Sequence, residues 1–200
     1  MKQQVFVIHG GTSFDTHEDY ISFLKTRELT LERLTQGEDW KASLSDELGE
    51  SFEVLVPKMP NGTNVRYLEW QIWFERCIPF IQDNAILIGQ SLGGIFLAKY
   101  LSENSFPKSI RATLLVGAPF DDTSTVESLT DFVLPSSLEK FATQSEAIYL
   151  IHSKDDPVVP VEQTEKYMQA LPKAQKVIFD DRGHFNQKKF PEVVSLIQSL

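Results

Sequence analysis

The chain is short of the residues that several function classes depend on. Among its 200 residues there is one cysteine, Cys77, which excludes an internal disulfide and a cysteine-based metal site. Basic residues are in deficit, 19 Lys plus Arg against 28 Asp plus Glu, for a formal charge of −9. Nucleic acid and anionic membrane surfaces are held through basic patches, so neither is an expected partner. No apolar run approaches the ~20 residues of a membrane-spanning helix. The run after Met1-Lys2-Gln3-Gln4 is also too short for a signal peptide, so a cytoplasmic location is the expectation. Repeats, low-complexity tracts and linker-like stretches are absent. With 42% hydrophobic and 24% charged residues, the chain is expected to bury its core as one domain over residues 1–200. A protein partner leaves no readable trace.

What is present is an alternation of two hydrophobic patterns. Val5–Ile8, Phe52–Pro57, Ala85–Ile88, Ala112–Gly117, Ala147–His152 and Lys176–Phe179 are short apolar runs, the mark of strands buried on both faces. Between them lie helical spacings. Trp70, Trp73, Phe74 and Cys77 fall at i, i+3, i+4 and i+7, on a helix that Pro79 ends or kinks. This places Cys77 on a core-facing stripe, where it reads as a packed thiol and not a nucleophile. Thr164, Tyr167, Met168 and Leu171 share another helix face, and Pro191 opens a last helix that buries Val193, Val194, Leu196, Ile197 and Leu200. Residues 14–50 carry the spacings Tyr20/Phe23/Leu24 and Trp40/Leu44/Leu48, read as two or three helices wrapping over one side of the sheet. Residues 123–146 are irregular, anchored by Phe132, Leu134, Leu138 and Phe141. Six strands alternating with helices define an α/β fold: a doubly wound, mainly parallel six-stranded sheet with helices on both faces.

The chemistry centres on Gly89-Gln90-Ser91-Leu92-Gly93-Gly94, set between the third strand and the pattern Ile95–Tyr100. G-x-S-x-G between a strand and a helix is the context of a nucleophile elbow, where a serine sits on a turn too tight for neighbouring side chains. A base working near neutral pH points to histidine, and there are four. His184, beside Gly183 in the loop after the last strand, reaches the same sheet edge as Ser91. His152 lies within a strand and reads as structural, and His17 is unplaced. A carboxylate must orient the base. Asp156 is preferred, because Pro157 and Pro160 stiffen its loop. Asp155, read as solvated, is the nearest rival, with Asp121 and Asp122 behind it. His9-Gly10-Gly11-Thr12 closes the first strand, where backbone N–H groups can approach a substrate. The N–H groups of Gly11 and Leu92 are the expected oxyanion donors, with Thr12 as fallback. Thr12, Phe120 and Phe132 are the candidate substrate-binding residues. The proposed chemistry requires neither metal nor organic cofactor.

Through HGG, GQSLGG, DPVVP and GHF, and through the order Ser91, Asp156, His184, the whole chain resembles the α/β-hydrolase superfamily near its minimal form. Within it the chain is most similar to the small serine hydrolases of the retinoblastoma-binding protein 9 type, with the helical stretch at 14–50 as its point of departure. The resemblance implies esterase-like cleavage of small acyl substrates. The expected function is thus hydrolysis of small carboxylic esters, thioesters or amides through an acyl-enzyme. The alternative is a protein-interaction module that keeps the fold without turnover. A cysteine hydrolase built on Cys77 fails on placement, since a mid-helix position offers neither elbow nor base.

Overall fold

In the computed structural model, which describes residues 2–31, 34, 39–123, 125 and 127–200, six strands form one sheet in the order β2-β1-β3-β4-β5-β6. They are β1 (Gln3–Ile8), β2 (Phe52–Leu55), β3 (Ala85–Gln90), β4 (Ile110–Val116), β5 (Ile148–Ser153) and β6 (Gln175–Phe179). Every neighbouring pair is parallel, so all six carboxyl ends share one edge. The apolar runs predict these strands to within a few residues. β3 extends past Ile88 because Gly89 and Gln90 still pair, with Leu115 and Val116, which carries the ladder up to Ser91. β2 stops at Leu55, before Pro57, whose missing N–H could not continue a ladder.

Helices cover both faces. On one, α3 (Tyr67–Cys77), α4 (Leu92–Glu103), α5 (Glu139–Gln144) and α6 (Glu162–Ala170) bring Trp70, Phe74, Phe96, Phe141 and Tyr167 into a single core. On the other, α2 (Trp40–Leu48) and α7 (Pro191–Ser199) bury Trp40, Leu44, Leu48, Val193 and Ile197 against β1, β3 and β4. α3 ends at Cys77 and passes through one 3₁₀ turn at Ile78–Phe80, where Pro79 removes a donor. Cys77 is half-buried against the core, and burial pushes its thiol pKa up.

Two expectations are corrected. Trp73, read with Trp70, Phe74 and Cys77 on one core-facing stripe, is 42% exposed. The helix carrying Tyr20, Phe23 and Leu24 exists as α1 (His17–Thr26), N-capped by a reciprocal Thr16–Asp19 box, but it does not lie on the sheet. None of its residues is buried, and Leu24 is 49% exposed. Its aromatic face closes on Phe14, whose ring meets those of Tyr20 and Phe23 at 5.5 and 5.0 Å, so a local cluster replaces the sheet contact. Parts of the stretches 14–50 and 123–146, namely residues 32, 33, 35–38, 124 and 126, lie outside the described residues. Among the described residues, no helix is long and apolar enough to cross a membrane.

Candidate active site

β3 delivers Ser91 into a backbone conformation that few non-glycine residues adopt, φ 52° and ψ −121°. Such a conformation costs roughly 1–3 kcal/mol and persists only where its surroundings impose it. Here the Ser91 N–H donates to the Val116 carbonyl at 2.8 Å, and the Ser91 carbonyl accepts from Gly94 N–H at 2.8 Å. The glycines follow from space. A Cβ on Gly89 would sit 2.3 Å from the Gly93 oxygen, and one on Gly93 would sit 2.4 Å from the Ile8 oxygen. α4 begins at Leu92, so its unpaired N–H groups and positive dipole end stand beside the Ser91 hydroxyl.

Two loops bring the partners. His184 Nε2 lies 2.8 Å from Ser91 Oγ, and its Nδ1 lies 2.7 Å from Asp156 Oδ2. A carboxylate only accepts, so Nδ1 carries the proton and Nε2 is left to take one from the serine. The other Asp156 oxygen accepts from the N–H groups of Val158 and Val159 at 2.9 and 3.0 Å, within the turn that Pro157 stiffens, and the side chain is fully shielded from solvent. His152 closes the back of this carboxylate. Its Nε2–H donates to the Val159 carbonyl at 2.8 Å and its Nδ1 accepts from the Thr164 hydroxyl at 2.9 Å. Burial lowers the His152 pKa, which keeps the ring neutral 3.6 Å from Asp156.

The rival carboxylates lie elsewhere. Asp155 is exposed, but it is not merely solvated as expected: it accepts from the Ser153 hydroxyl and from Gly183 N–H at 2.8 Å, bonds that lower its pKa. It therefore ties the β5 loop to the loop carrying His184. Burial pushes Asp121 up, but bonds from Lys166, Thr123 and Gln163 outweigh this and hold it at about 2. Asp122 is exposed on the same turn. His9 is a bracket: its Nε2 accepts from Met59 N–H at 2.9 Å and its Nδ1–H donates to the Gly10 carbonyl, fixing the β1 loop to the β2 loop. His17 is exposed at the start of α1.

Gly10 and Gly11 pass close to the serine. A Cβ on Gly10 would stand 3.1 Å from the Ser91 Cβ, and one on Gly11 would strike Val65 at 2.7 Å. Thr12 N–H donates to the Gly62 carbonyl at 3.1 Å and is already committed, while no backbone carbonyl among the described residues accepts from Gly11 or Leu92 N–H. The cleft at Ser91 is about 370 Å³; Thr12 lines it, Arg27, Lys41 and Glu127 bring charge, and Val158 is its one hydrophobic side chain among the described residues. Burial pushes the Glu127 carboxyl up, against the pull of His184 and Arg27.

Phe120 and Phe132 are corrected as wall candidates, because neither lines this cleft. After β4 the chain turns over α6: Gln163 takes the N–H groups of Phe120 and Asp121 at 2.7 and 3.0 Å, and the Phe120 ring packs on Tyr167 at 5.0 Å. Phe132 is a core residue between Tyr67 and Trp70. Sequence reasoning missed Gln90 and Trp40, which reach the His184 loop from β3 and α2, and Lys41, which bonds to Gln90. A polar residue such as Gln90 between a buried strand and its serine is the one signal that marks this group.

Comparison with known proteins assigns the fold to a class. The sequence model of the family described as Serine hydrolase matches residues 34–198, and the chain belongs to that family. Among its relatives is Serine hydrolase RBBP9 of Rattus norvegicus, 26% identical over 151 residues, covering 74% of this chain and 78% of that protein. The structure of the ydeN gene product from B. subtilis superposes with a TM-score of 0.79 at 20% identity, covering 99% and 98% of the two chains. The meta-cleavage product hydrolase from Pseudomonas fluorescens superposes at 0.65 with 15% identity, covering 98% of this chain and 91% of that one. Likeness at this identity is of fold, and the fold is a minimal α/β-hydrolase.

Proposed function

We propose that the protein hydrolyses small carboxylic esters, thioesters or amides through an acyl-enzyme, with Ser91 as nucleophile, His184 as general base and Asp156 as its orienting carboxylate. The observation that carries this reading is the unbroken path from Ser91 Oγ through His184 to Asp156, at 2.8 and 2.7 Å, under a strained serine. Ser91 Oγ attacks the carbonyl carbon while His184 Nε2 takes its proton, and Asp156 stabilises the imidazolium. The N–H groups of Gly11 and Leu92 receive the oxyanion. The tetrahedral adduct collapses, the leaving group departs with the proton from His184, and water repeats the sequence to release the acid. The cleft is mostly polar, and the apolar recess that Ser91 also borders, among Leu92, Pro119, Leu129, Val158 and Val159, holds only about 10 Å³, which favours short acyl groups over long aliphatic chains. A pure binding module gains nothing from strain at Ser91, which supports turnover over that alternative.

Chromogenic p-nitrophenyl esters of graded acyl length test the reading. Wild-type protein is expected to hydrolyse acetate and butyrate esters faster than octanoate, and Ser91→Ala to lose hydrolysis of all three. Folded wild-type protein that turns over none of them, or Ser91→Ala at the wild-type rate, contradicts it.

A further inference from the structure

We propose that Lys41, acting through Gln90, is a positioning residue for His184. The proposal rests on His184 being the base, and it begins with the loop that carries it. Gly183 has φ 50° and Phe185 has φ 55°, so the histidine stands between two left-handed residues, one of which has a full side chain. A backbone of that kind does not hold its shape unaided. Gly183 N–H is tied to Asp155, and the Phe185 ring is fully buried, stacked on Phe190 at 5.2 Å. Phe185 N–H closes the loop on the Arg182 carbonyl at 3.1 Å, and further fixings come from β3 and α2. The Phe185 carbonyl accepts from Gln90 Nε2 at 3.0 Å and from Trp40 Nε1 at 3.0 Å, and the His184 carbonyl accepts from the same Gln90 nitrogen at 3.2 Å.

Gln90 can do this only with its amide the right way round. The opposite orientation would set its oxygen against two carbonyl oxygens. Lys41 decides between them: an ammonium has donors and no acceptor, so its bond to Gln90 Oε1 forces Nε2 toward the loop. The ammonium is itself held by Asp39, the N-cap of α2, whose carboxylate also accepts from Lys41 N–H at 3.1 Å. Lys41 is only 8% exposed and Gln90 3%, so water does not compete strongly for either bond. Burial pulls the Lys41 pKa down while Asp39 supports the charge. Asp39, Trp40 and Lys41 thus act as one clamp, closing from the start of α2 onto the variable position of the G-x-S-x-G turn and onto the histidine loop. Asp39, Lys41 and Gln90 border the cleft, but the bonds of the clamp run to one another and to the loop carbonyls, not to Ser91 Oγ or His184 Nε2. Their contribution is to keep Nε2 in line with the serine, where an error of about 1 Å is worth roughly 100-fold in rate.

Three measurements test this together. Lys41→Met keeps the aliphatic stem and removes the donor; Gln90→Met removes both ends of the relay; Gln90→Glu keeps the size and the bond to Lys41 but presents oxygen to the loop carbonyls. Each is expected to lower kcat by about 10- to 100-fold with KM within about twofold. The Lys41→Met/Gln90→Met double variant is expected to fall no further than about threefold below the worse single one, because the two changes break one path. By proton NMR, the downfield Nδ1–H resonance of His184, assigned by its loss in His184→Gln, is expected to shift or broaden in Lys41→Met and in Gln90→Glu. A resonance at the wild-type position in both variants overturns the clamp whatever the rates do. Fully multiplicative losses in the double variant overturn the route through Gln90. The resonance reports the geometry of His184 independently of turnover, so a failure of the hydrolase reading, seen as a folded wild type that turns over no ester, and a failure of His184 as its base, seen as retained activity in His184→Gln, are each distinguishable from a failure of the clamp. If Lys41→Met does not fold, Gln90→Glu carries the same test.

Discussion

Asp155 and Asp156 are adjacent, alike in side chain, and turned to different partners. Asp156 gives one oxygen to His184 and the other to two backbone N–H groups, so its carboxylate cannot rotate away; Asp155 holds Gly183 in place. Under the proposed mechanism Asp156→Asn is expected to lower kcat by about four orders of magnitude, since an amide at that position favours the wrong imidazole tautomer. Asp155→Asn keeps an oxygen for Gly183 N–H, and kcat is expected to fall less than about tenfold, ~1.4 kcal/mol of barrier. Steady-state kinetics on a p-nitrophenyl ester rank the two, and the reverse order would move the orienting role to Asp155. The preference for Asp156 is legible in the sequence because Pro157 restricts the residue before it. The duty of Asp155 is not legible, because its partner lies 28 residues away on another loop. Gln90 is opaque for the same reason: its contacts with Lys41 and Phe185 span 49 and 95 residues.

At the scale of elements, a hydrophobic period reveals which side of a helix is apolar but not what that side meets. Trp40/Leu44/Leu48 and Tyr20/Phe23/Leu24 look alike in sequence, yet the first stripe is buried against the sheet and the second closes on Phe14 in the open. Stability should separate them. Trp40→Ala empties a site that is 1% exposed and is expected to cost about 3–5 kcal/mol. Leu24→Glu, at a position 49% exposed, is expected to change stability by less than about 0.5 kcal/mol. Urea denaturation measures both, and a loss of several kcal/mol at Leu24 would return α1 to the core. The strands are more legible than the helices because a parallel strand covered on both faces is mostly apolar, as in β3, where all six residues are buried and Gln90 at its end is the one polar side chain. Phe120 and Phe132 are illegible for the converse reason: an aromatic outside a strand can face a cleft or a helix, and here Gln163 on α6 turns Phe120 onto Tyr167 while Phe132 packs against Tyr67 and Trp70.

For the molecule as a whole, acid stability joins the site to the fold. His152 is buried and its pKa is lowered, so below the ordinary ~6.5 the unfolded chain binds a proton that the folded chain refuses. The stability from neutral His152 is therefore complete above ~6.5 and is lost as pH falls from there toward the lowered folded value, by up to about 1.4 kcal/mol per pH unit. Asp121 and Asp155 act in a lower window: their depressed values give stability that is complete above ~3.9 and is lost as pH falls further, for Asp121 through about 2. Melting temperature should decline in both windows, and His152→Gln should flatten the upper one alone; an unchanged profile between pH 6.5 and 5 would contradict the neutral assignment. On the proposed mechanism the whole fold serves to make Ser91 a nucleophile. The most direct measurement is peptide mapping by mass spectrometry after treatment with a fluorophosphonate. The account predicts a single adduct on the peptide carrying Ser91, absent in Ser91→Ala and slowed at least a hundredfold in His184→Gln. A folded protein that takes up no adduct, or takes it up at Cys77 or another residue, would contradict it.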